Sequence, residues 1–563
     1  MRTHDMRSER GIALVFVLFL LTTVSALAVS LTFLANSETY ASGNYKLATQ
    51  ARYAAESSAQ KVADYLLGAT YNPATVAPGG LVNNTGSPVT FGGQPVVLTS
   101  NANNSVYPDN ATKQAFAAMF TGPAANLVAG NTTLTMSATA TLIFEDAFSD
   151  AYLGGTTIVQ TWQITAQGNI NGVRTATVEI TATVETPEVP AFKYAAFANN
   201  NQCQALWFHG SSDTNSYNSQ ALATAAINGQ LPANTPPTVC APGVTGPQCM
   251  FNKGGDVGTN GNMLIDGGAV NVYGNLSTPR TGVGNCNQGN ITALSGAAAD
   301  IKGGAPLQLP GQVKLPTPAI QAPSTLPSVS ISANNANQLA HAFDTTCDDL
   351  GFGAGGANFG KGTCGASYAN PNNPVLLIQN MSAGPLSLPQ ITLNAQVSLV
   401  LAARTPGAGV SNEYDFNAIK LDGGASIGVS TPSQDAQVVV RIAGKDNNNN
   451  NIDPAINFVG GTFTAPVGTC ATCSKYDAAL LQFVYGGTNS ILMKGNSSAS
   501  ATFYAPNSPA TLIGDDNLYG AIIADTIEVA GNASIYYDTT LQTASMTKGQ
   551  PIMTAFSWKN KNN

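Results

Sequence analysis

The sequence predicts an α+β protein that is mostly β, with a long N-terminal helix, an antiparallel β-meander and a C-terminal β-solenoid-like domain. Residues 11–35 are uncharged and mostly apolar, and no proline occurs before Pro73, which favours one long helix. β-Branched runs separated by Asn/Gly turns follow, as is typical of antiparallel strands. Beyond Pro190, Gly-rich turns recur at short spacing, which favours stacked rungs.

The composition limits the classes of function. The chain has 563 residues, of which 10% are charged, and a net charge of −8. Phosphate binding needs a basic patch, and the sequence shows none, which argues against a nucleic-acid partner. The 56 glycines and 31 prolines suit short strands joined by many turns. This length predicts several domains, and low charge is typical of extracellular β-rich structural proteins.

The apolar run at residues 11–35 predicts a membrane span. At 1.5 Å per residue it crosses a hydrocarbon core of about 30 Å with some tilt. Arg2, Arg7 and Arg10 precede it and favour a cytoplasmic N terminus. We therefore expect a single-pass protein of the bacterial inner membrane before any assembly step.

The helical pattern continues beyond the membrane span. After Glu38, apolar residues recur at steps of three and four on one face, namely Ala48, Ala51, Ala55, Ala59, Val62 and Leu66. Arg52 and Glu56 are four residues apart and able to pair. Gly68 and Pro73 indicate the end of the helix, so a membrane and amphipathic helix is predicted over residues 12–68, about 80 Å long.

Residues 69–190 predict a β-rich domain. A short helix is expected near Lys113–Phe120, and three strands are expected at 134–144, 156–167 and 173–185. The Asn171-Gly172 step is a good hairpin turn. A three-stranded antiparallel meander is therefore predicted.

The rest of the chain is rich in Gly, Asn and Pro. Residues 191–330 are expected to hold the start of a β domain and a Pro-rich linker at 305–328, and residues 331–563 a β-solenoid-like domain. Gly495, Gly514 and Gly531 open turns that are 19 and 17 residues apart, which favours rungs of a parallel solenoid. A Greek-key sandwich, with strands of similar length, is the alternative.

All eight cysteines lie between residues 203 and 473. In an exported chain they indicate up to four disulfides, with a pairing that the sequence does not define. Cys470 and Cys473 also have the C-x2-C spacing of two zinc ligands, but only three histidines exist. The disulfide candidates are Cys203, Cys240, Cys249, Cys286, Cys347, Cys364, Cys470 and Cys473.

Few residues suggest catalysis, and no catalytic residue is predicted. His209 and His341 are the histidines outside the N-terminal segment, and no G-x-S-x-G elbow accompanies them. Calcium is the one cofactor that the sequence suggests, because alternate side-chain oxygens of a polar loop can converge on it. Its candidate ligands are Asp446, Asn448, Asn450 and Asp453; a plain asparagine-rich loop is the alternative.

The N-terminal segment resembles PilX-type minor pilins of type IV pili. The resemblance rests on RGIALV (10–15), the apolar run, Glu38 with ASGN (41–44), and AAE (54–56). A weaker likeness links residues 164–198 to a strand pair and its connection in larger PilX-like proteins. Residues 511–538 are similar to the Gly/Asn repeat domain that ends some of them.

The resemblance implies a leader peptide at residues 1–11, which prepilin peptidase removes between Gly11 and Ile12. Other pilin subunits would then pack against the helix in a fibre. Two positions depart from the family, because Ile12 replaces the usual Phe and Phe16 the usual Glu. The missing carboxylate at Phe16 implies a place at the fibre tip or in an initiation complex, since no neighbouring amine needs neutralising there. The alternative is that Phe16 is simply another lipid-facing apolar residue.

The function expected is therefore that of a non-enzymatic minor pilin or pseudopilin-like subunit with a surface-exposed adhesive β domain. Its ligand would be a surface glycan or protein, and its fibre a type IV pilus or a related secretion fibre. The alternative is a secreted β-helix enzyme that acts on polysaccharide. Ala26-Leu27-Ala28 would then serve as an ordinary signal-peptidase site, leaving Val29 as the first residue.

Overall fold

A helix of 61 residues, α1 (Arg7–Leu67), opens the described part of the chain. Its length of about 90 Å follows from the rise per residue. Ala51, Ala55, Ala59, Val62 and Leu66 are all buried along one face, as their spacing predicts.

Two local features of α1 also agree with the sequence. The Arg52 Nε donates to Glu56 Oε1 at 2.8 Å, and the helix ends at Leu67, directly before Gly68. The long continuous helix is therefore confirmed, with Gly43 inside it.

The computed structural model describes most of the chain and divides it into two units. The first unit comprises residues 1–148, 158–187 and 548–563, and the second comprises 149–157 and 188–547. The described residues are 7–68, 71, 73, 87–121, 126–129, 132–150, 152, 156–171, 175–232, 235–241, 244–332, 350–351, 364–365, 375–380, 383–394, 397–405, 411–433, 435–460, 462–464, 470, 473–495, 498–544, 546–549 and 552–561.

Both units contain many strands. Up to Glu185 they are β1 (Thr90–Phe91), β2 (Gln94–Pro95), β3 (Val97–Thr99), β4 (Asn126–Ala129), β5 (Thr132–Ser149), β6 (Thr156–Asn171) and β7 (Ala176–Glu185). Next come β8 (Glu188–Pro190), β9 (Ala196–Ala198), β10 (Leu206–Phe208), β11 (Asp213–Tyr217), β12 (Val257–Thr259), β13 (Met263–Ile265), β14 (Asn271–Val272), β15 (Leu276–Thr278), β16 (Leu294–Ser295), β17 (Leu307–Gln308), β18 (Val329–Ile331), β19 (Leu350–Gly351), β20 (Cys364–Gly365), β21 (Val375–Gln379) and β22 (Leu386–Leu388). The last are β23 (Ile391–Leu393), β24 (Ser398–Ala402), β25 (Glu413–Phe416), β26 (Ile419–Asp422), β27 (Ser426–Ser430), β28 (Val438–Ile442), β29 (Ile456–Val459), β30 (Thr462–Thr464), β31 (Leu481–Tyr485), β32 (Ile491–Gly495), β33 (Ser498–Ala505), β34 (Ala510–Gly514), β35 (Asn517–Ala524), β36 (Ile527–Gly531), β37 (Ser534–Asp538), β38 (Met546–Lys548) and β39 (Ile552–Asn560).

Among the described residues, three further helices are short: α2 (Asn110–Ala118), α3 (Ser219–Ile227) and α4 (Leu541–Ala544). Asp109 caps α2, because its carboxylate accepts from the N–H groups of Ala111 and Thr112. The predicted helix near Lys113–Phe120 is therefore present, and it begins three residues earlier.

The first unit is a sheet on which the second half of α1 packs. Its strand order is β3-β5-β6-β7-β39, with β4 beside β5. The pairs β6–β7 and β7–β39 are antiparallel, so the antiparallel character is confirmed. The sequence-based prediction missed that the last described strand, β39, completes this sheet.

Gly168 lies at a close approach of α1 to the sheet. The sequence suggests a turn at 168–172, but β6 continues to Asn171. A Cβ atom at Gly168 would overlap the Ala51 carbonyl oxygen and lie 2.7 Å from the Ala55 nitrogen. The glycine therefore lets the helix lie on the strand; the residue Gly172 of the expected turn lies outside the described residues.

The second unit is a parallel β-solenoid. One sheet has the order β16-β13-β10-β36-β34-β32-β29-β26-β23-β18, and another has β17-β15-β12-β9-β35-β33-β31-β28-β25-β22. A third, β21-β24-β27-β30, is also parallel. Gly495 pairs with Gly514, and Gly514 with Gly531, so the predicted glycine register is confirmed and the sandwich alternative is wrong.

The order of rungs along the stack differs from the order along the chain. The first strands, β9 and β10, lie inside the stack between β12 or β13 on one side and β35 or β36 on the other. The chain proceeds from them to β16 and β17, then restarts at the far end with β18 and returns to β36. Early and late segments therefore share one apolar core.

The Pro-rich segment expected as a linker is a strap along this stack. The Val313 N–H donates to Asn260 Oδ1, Tyr504 Oη donates to the Pro316 carbonyl, and Asn417 bonds Ser324 in both directions. From β12 to β25 the stack has six steps, about 29 Å at ~4.8 Å each. Residues 313–324 span about 34 Å as an extended polyproline-like chain, so the strap matches the distance.

The two units also differ from the regions expected at 69–190, 191–330 and 331–563. Residues 188–547 belong to one unit, because β10, before the expected boundary at 330, pairs with β36 beyond it. Residues 548–563 belong to the first unit, because β39 pairs with β7. Pairing between distant segments leaves no mark in local composition.

Candidate functional site

The apolar half of α1 exposes fifteen large apolar side chains. Its side chains are 56–76% exposed, from Leu34 at 56% to Phe33 at 76%. Eight of them are consecutive, from Leu14 to Leu21, so they face all sides of the helix. The full set is Ile12, Leu14, Val15, Phe16, Val17, Leu18, Phe19, Leu20, Leu21, Val24, Leu27, Val29, Leu31, Phe33 and Leu34. A helix that is apolar all round requires lipid or other helices around it, and this one is long and apolar enough to cross a membrane.

Four hydroxyl side chains of this segment are satisfied within the helix. The Thr22 hydroxyl donates to the Leu18 carbonyl at 3.0 Å, and the Thr32 hydroxyl donates to the Ala28 carbonyl at 2.8 Å. Thr23 and Ser30 make the same bond. Because these four groups need no outside partner, they are compatible with an apolar environment.

The predicted processing and assembly positions lie in this helix. Gly11 and Ile12 are consecutive residues of α1, and the Ile12 side chain is 59% exposed. Phe16 is 71% exposed, and no charged residue occurs from Gly11 to Ser37. A partner that packs against this stretch therefore contacts apolar side chains and finds no carboxylate at position 16.

Three disulfides are formed among the described residues, all in the second unit. They join Cys203 to Cys286, Cys240 to Cys249 and Cys470 to Cys473. Cys470 and Cys473 therefore bond each other, which removes the two thiolates that the zinc alternative needs. Of the remaining candidates, Cys347 lies outside the described residues, and Cys364 begins β20.

The structure gives the calcium expectation no support. The Asp446 carboxylate accepts from the backbone N–H groups of Asn448 and Asn450 and from the Asn450 side chain, and these bonds, those of Asn450 first, lower its pKa. Asp453 instead accepts from the N–H and hydroxyl of Ser490. The two carboxylates thus serve separate partners, and no group of three acidic, His or Cys side chains suited to a metal occurs among the described residues.

His209 lies on the outer side of the solenoid. Its ring stacks on Trp207 with centroids 4.4 Å apart, and its Nε2 lies 3.1 Å from Glu528 Oε1. The Trp207 indole N–H donates to Asp266. This set contains no hydroxyl or thiol nucleophile, and His341 lies outside the described residues.

Buried carboxyls are a feature that the sequence analysis did not identify. Asp538 accepts from the N–H groups of Ser219, Thr540 and Ala478, and so joins three segments of the second unit. Burial raises the pKa of Asp538, and burial together with repulsion from Asp538 raises the pKa of Asp477. Both carboxyl groups accept hydrogen bonds from backbone N–H groups of the second unit, so their role is structural.

Two segments of the chain match known protein families. Residues 10–60 match the PilX N-terminal family, and residues 414–544 match a domain of unknown function, DUF7305. Among solved structures, the competence-associated pilin ComZ from Thermus thermophilus aligns over 92% of this chain and 98% of its own, with 12% identity and a TM-score of 0.27. At that TM-score the alignment carries no structural argument. No curated protein matches the chain.

Proposed function

Because the N-terminal region of this chain is that of a PilX-type minor pilin, we propose that the protein is a minor structural subunit of a type IV pilus or a related secretion fibre. The observation that carries the proposal is α1, whose first part is apolar on every side and whose second part packs on a folded unit. The membrane holds the apolar part before assembly, and the helices of other pilin subunits replace the lipid in the fibre.

Processing between Gly11 and Ile12 precedes assembly in this proposal. Sequencing the N terminus of the mature protein tests it. Ile12 as the first residue supports the pilin route, whereas Val29 supports ordinary secretion and overturns it. The same experiment decides whether the leader comprises residues 1–11.

Phe16 restricts the subunit to the fibre tip or an initiation complex. A carboxylate at this position would offer a partner for the terminal amine of a neighbour within an apolar surrounding, where an unpaired charge is expensive. Phe16 offers none, so a subunit that needs this partner is not recruited beside it.

Phe16→Glu, compared with Phe16→Leu as the matched control, tests this role. The number of copies per pilus should change in the Glu variant and stay at the wild-type value in the Leu variant. Quantitative mass spectrometry of sheared pili measures it. Unchanged stoichiometry and unchanged pilus initiation in Phe16→Glu would refute the tip role.

The solenoid serves as the adhesive body of the subunit in this proposal. It is inserted at a hairpin, because the register pairs Glu185 at the end of β7 with Ile552 at the start of β39. Replacing residues 188–547 by a short Gly/Ser turn should therefore leave the first unit folded. We expect such pili to assemble normally and to lose adhesion to surface glycan or protein; full adhesion would contradict the adhesive role.

A further inference from the structure

Strand β39 forms an open edge of the sheet in the first unit. It is the last strand in the order β3-β5-β6-β7-β39, and no described strand pairs with its outer side. All nine of its residues are exposed. Long exposed edges with apolar side chains pair readily with other chains, so soluble proteins usually cover or charge them.

The backbone groups that face outward follow from the ladder. The Lys561 N–H donates to the Thr177 carbonyl at 2.9 Å, so this residue bonds β7. Antiparallel ladders alternate, and the register is continuous from Ala555 to Asn560. The N–H and carbonyl groups of Phe556 and Trp558 therefore point away from β7, to the open edge.

The side chains of the same two residues lie on the helix side of the sheet. Trp558 is opposite Ile180 and Phe556 opposite Ala182, and both partners are fully buried core residues. Directly opposed residues share a face. Trp558 is nevertheless 53% exposed and Phe556 49%, so they extend the apolar core beyond its covered part.

This apolar edge continues the surface of α1. The Arg52 guanidinium lies 5.0 Å from the centre of the Trp558 ring. Tyr45 and Leu34 precede Arg52 by 7 and 18 residues, which returns them to the same helix face. They are 76% and 56% exposed, and Leu34 ends the apolar segment that requires lipid or other helices around it.

The opposite face of β39 holds the strand in place. The Lys559 and Lys561 ammonium groups both contact the Glu179 carboxylate of β7. Although burial raises the pKa of Glu179, the bonds from the two lysines and Gln167 lower it to about 2. The edge is thus an ordered strand of the fold.

We propose that the open edge of β39 binds an extended segment of a neighbouring pilus subunit, which adds a strand to this sheet. The occupant is a pilin subunit because the edge is continuous with the helix face that such subunits cover. Its chemistry is an extended chain whose alternate apolar side chains pack on Phe556 and Trp558. The inference rests on the proposed function.

Two substitutions on adjacent residues test the surface. Phe556→Lys places a charge on the helix side, and Ser557→Lys, the matched control, places it on the other face. In full-length protein, Phe556→Lys should lower the amount of subunit in sheared pili at least about tenfold, with an unchanged membrane level, and Ser557→Lys should assemble like the wild type. Normal assembly of Phe556→Lys, or an equal loss in both variants, overturns the inference. Absence of the wild-type chain from pili would instead refute the proposed function.

Hydrogen exchange of the unmodified protein removes any dependence on variants. The amides of Phe556 and Trp558 should exchange at least about tenfold more slowly in pili than in the detergent-solubilised subunit. The Ser557 and Lys559 amides, which already bond β7, should be protected in both states. Equal exchange of Phe556 and Trp558 in the two states would overturn the added strand.

Discussion

Gly514→Ala tests the stack of the solenoid most directly. Gly514 has a φ of +115°, which L side chains rarely adopt. An added Cβ would lie 2.5 Å from the Gly495 carbonyl oxygen on the preceding rung, where backbone leaves no flexible group to move aside. Strained backbone costs about 1–3 kcal/mol and overpacking a similar amount, so the free energy of unfolding of the second unit should fall by about 2–6 kcal/mol.

Urea unfolding of the full-length protein measures this effect, with proteolysis of the second unit as the readout. With an m-value of about 3 kcal/mol per molar urea, the midpoint should fall by roughly 1 M. Gly268→Ala is the matched control, because no heavy atom lies within 4 Å of its added Cβ. If Gly514→Ala and Gly268→Ala unfold at the same urea concentration, the close-packed glycine column is not a determinant of the fold.

Three further predictions concern other contacts. Gly168→Ala should separate α1 from the sheet and destabilise the first unit by about 1–3 kcal/mol. Hydrogen exchange of the Ala51 and Ala55 amides should then become faster. Unchanged exchange would contradict the close approach. Burial, then repulsion from Glu413, raises the pKa of Asp415 to about 6, above its unfolded value near 3.8. The folded state therefore binds the proton more tightly, and the free energy of unfolding should fall by up to about 3 kcal/mol as the pH rises from about 4 to above 6. Asp415→Asn should remove this part of the pH dependence of stability, and an unaltered pH profile would refute the prediction. Asn417→Ala removes both hydrogen bonds to Ser324 and should lower the stability of the second unit by about 1–3 kcal/mol. The strap should then be cleaved by protease earlier than in the wild type. A wild-type cleavage pattern would show that other contacts hold the strap.

The sequence predicted the elements whose signals are local. Periodic apolar residues from Ala51 to Leu66 defined the buried face of α1, and the spacing of Gly495, Gly514 and Gly531 defined the rungs. Contacts between distant segments were not predictable in this way. Nothing around Ile552 shows that it pairs with Glu185, because the alternating pattern of a short strand does not define which strand it pairs with.

The insertion of the solenoid explains how so distant a strand completes the first sheet. Closing a flexible loop of roughly 360 residues between β7 and β39 would cost about 5 kcal/mol of chain entropy, comparable to the whole stability of a small domain. The structure holds the ends of the insertion together instead. The Gly549 N–H donates to the Pro187 carbonyl at 2.7 Å, and within the second unit α4 contacts β8. The folded insertion therefore keeps the end of β7 close to the start of β39, as a short hairpin turn would. The first unit can thus tolerate an insertion of this size.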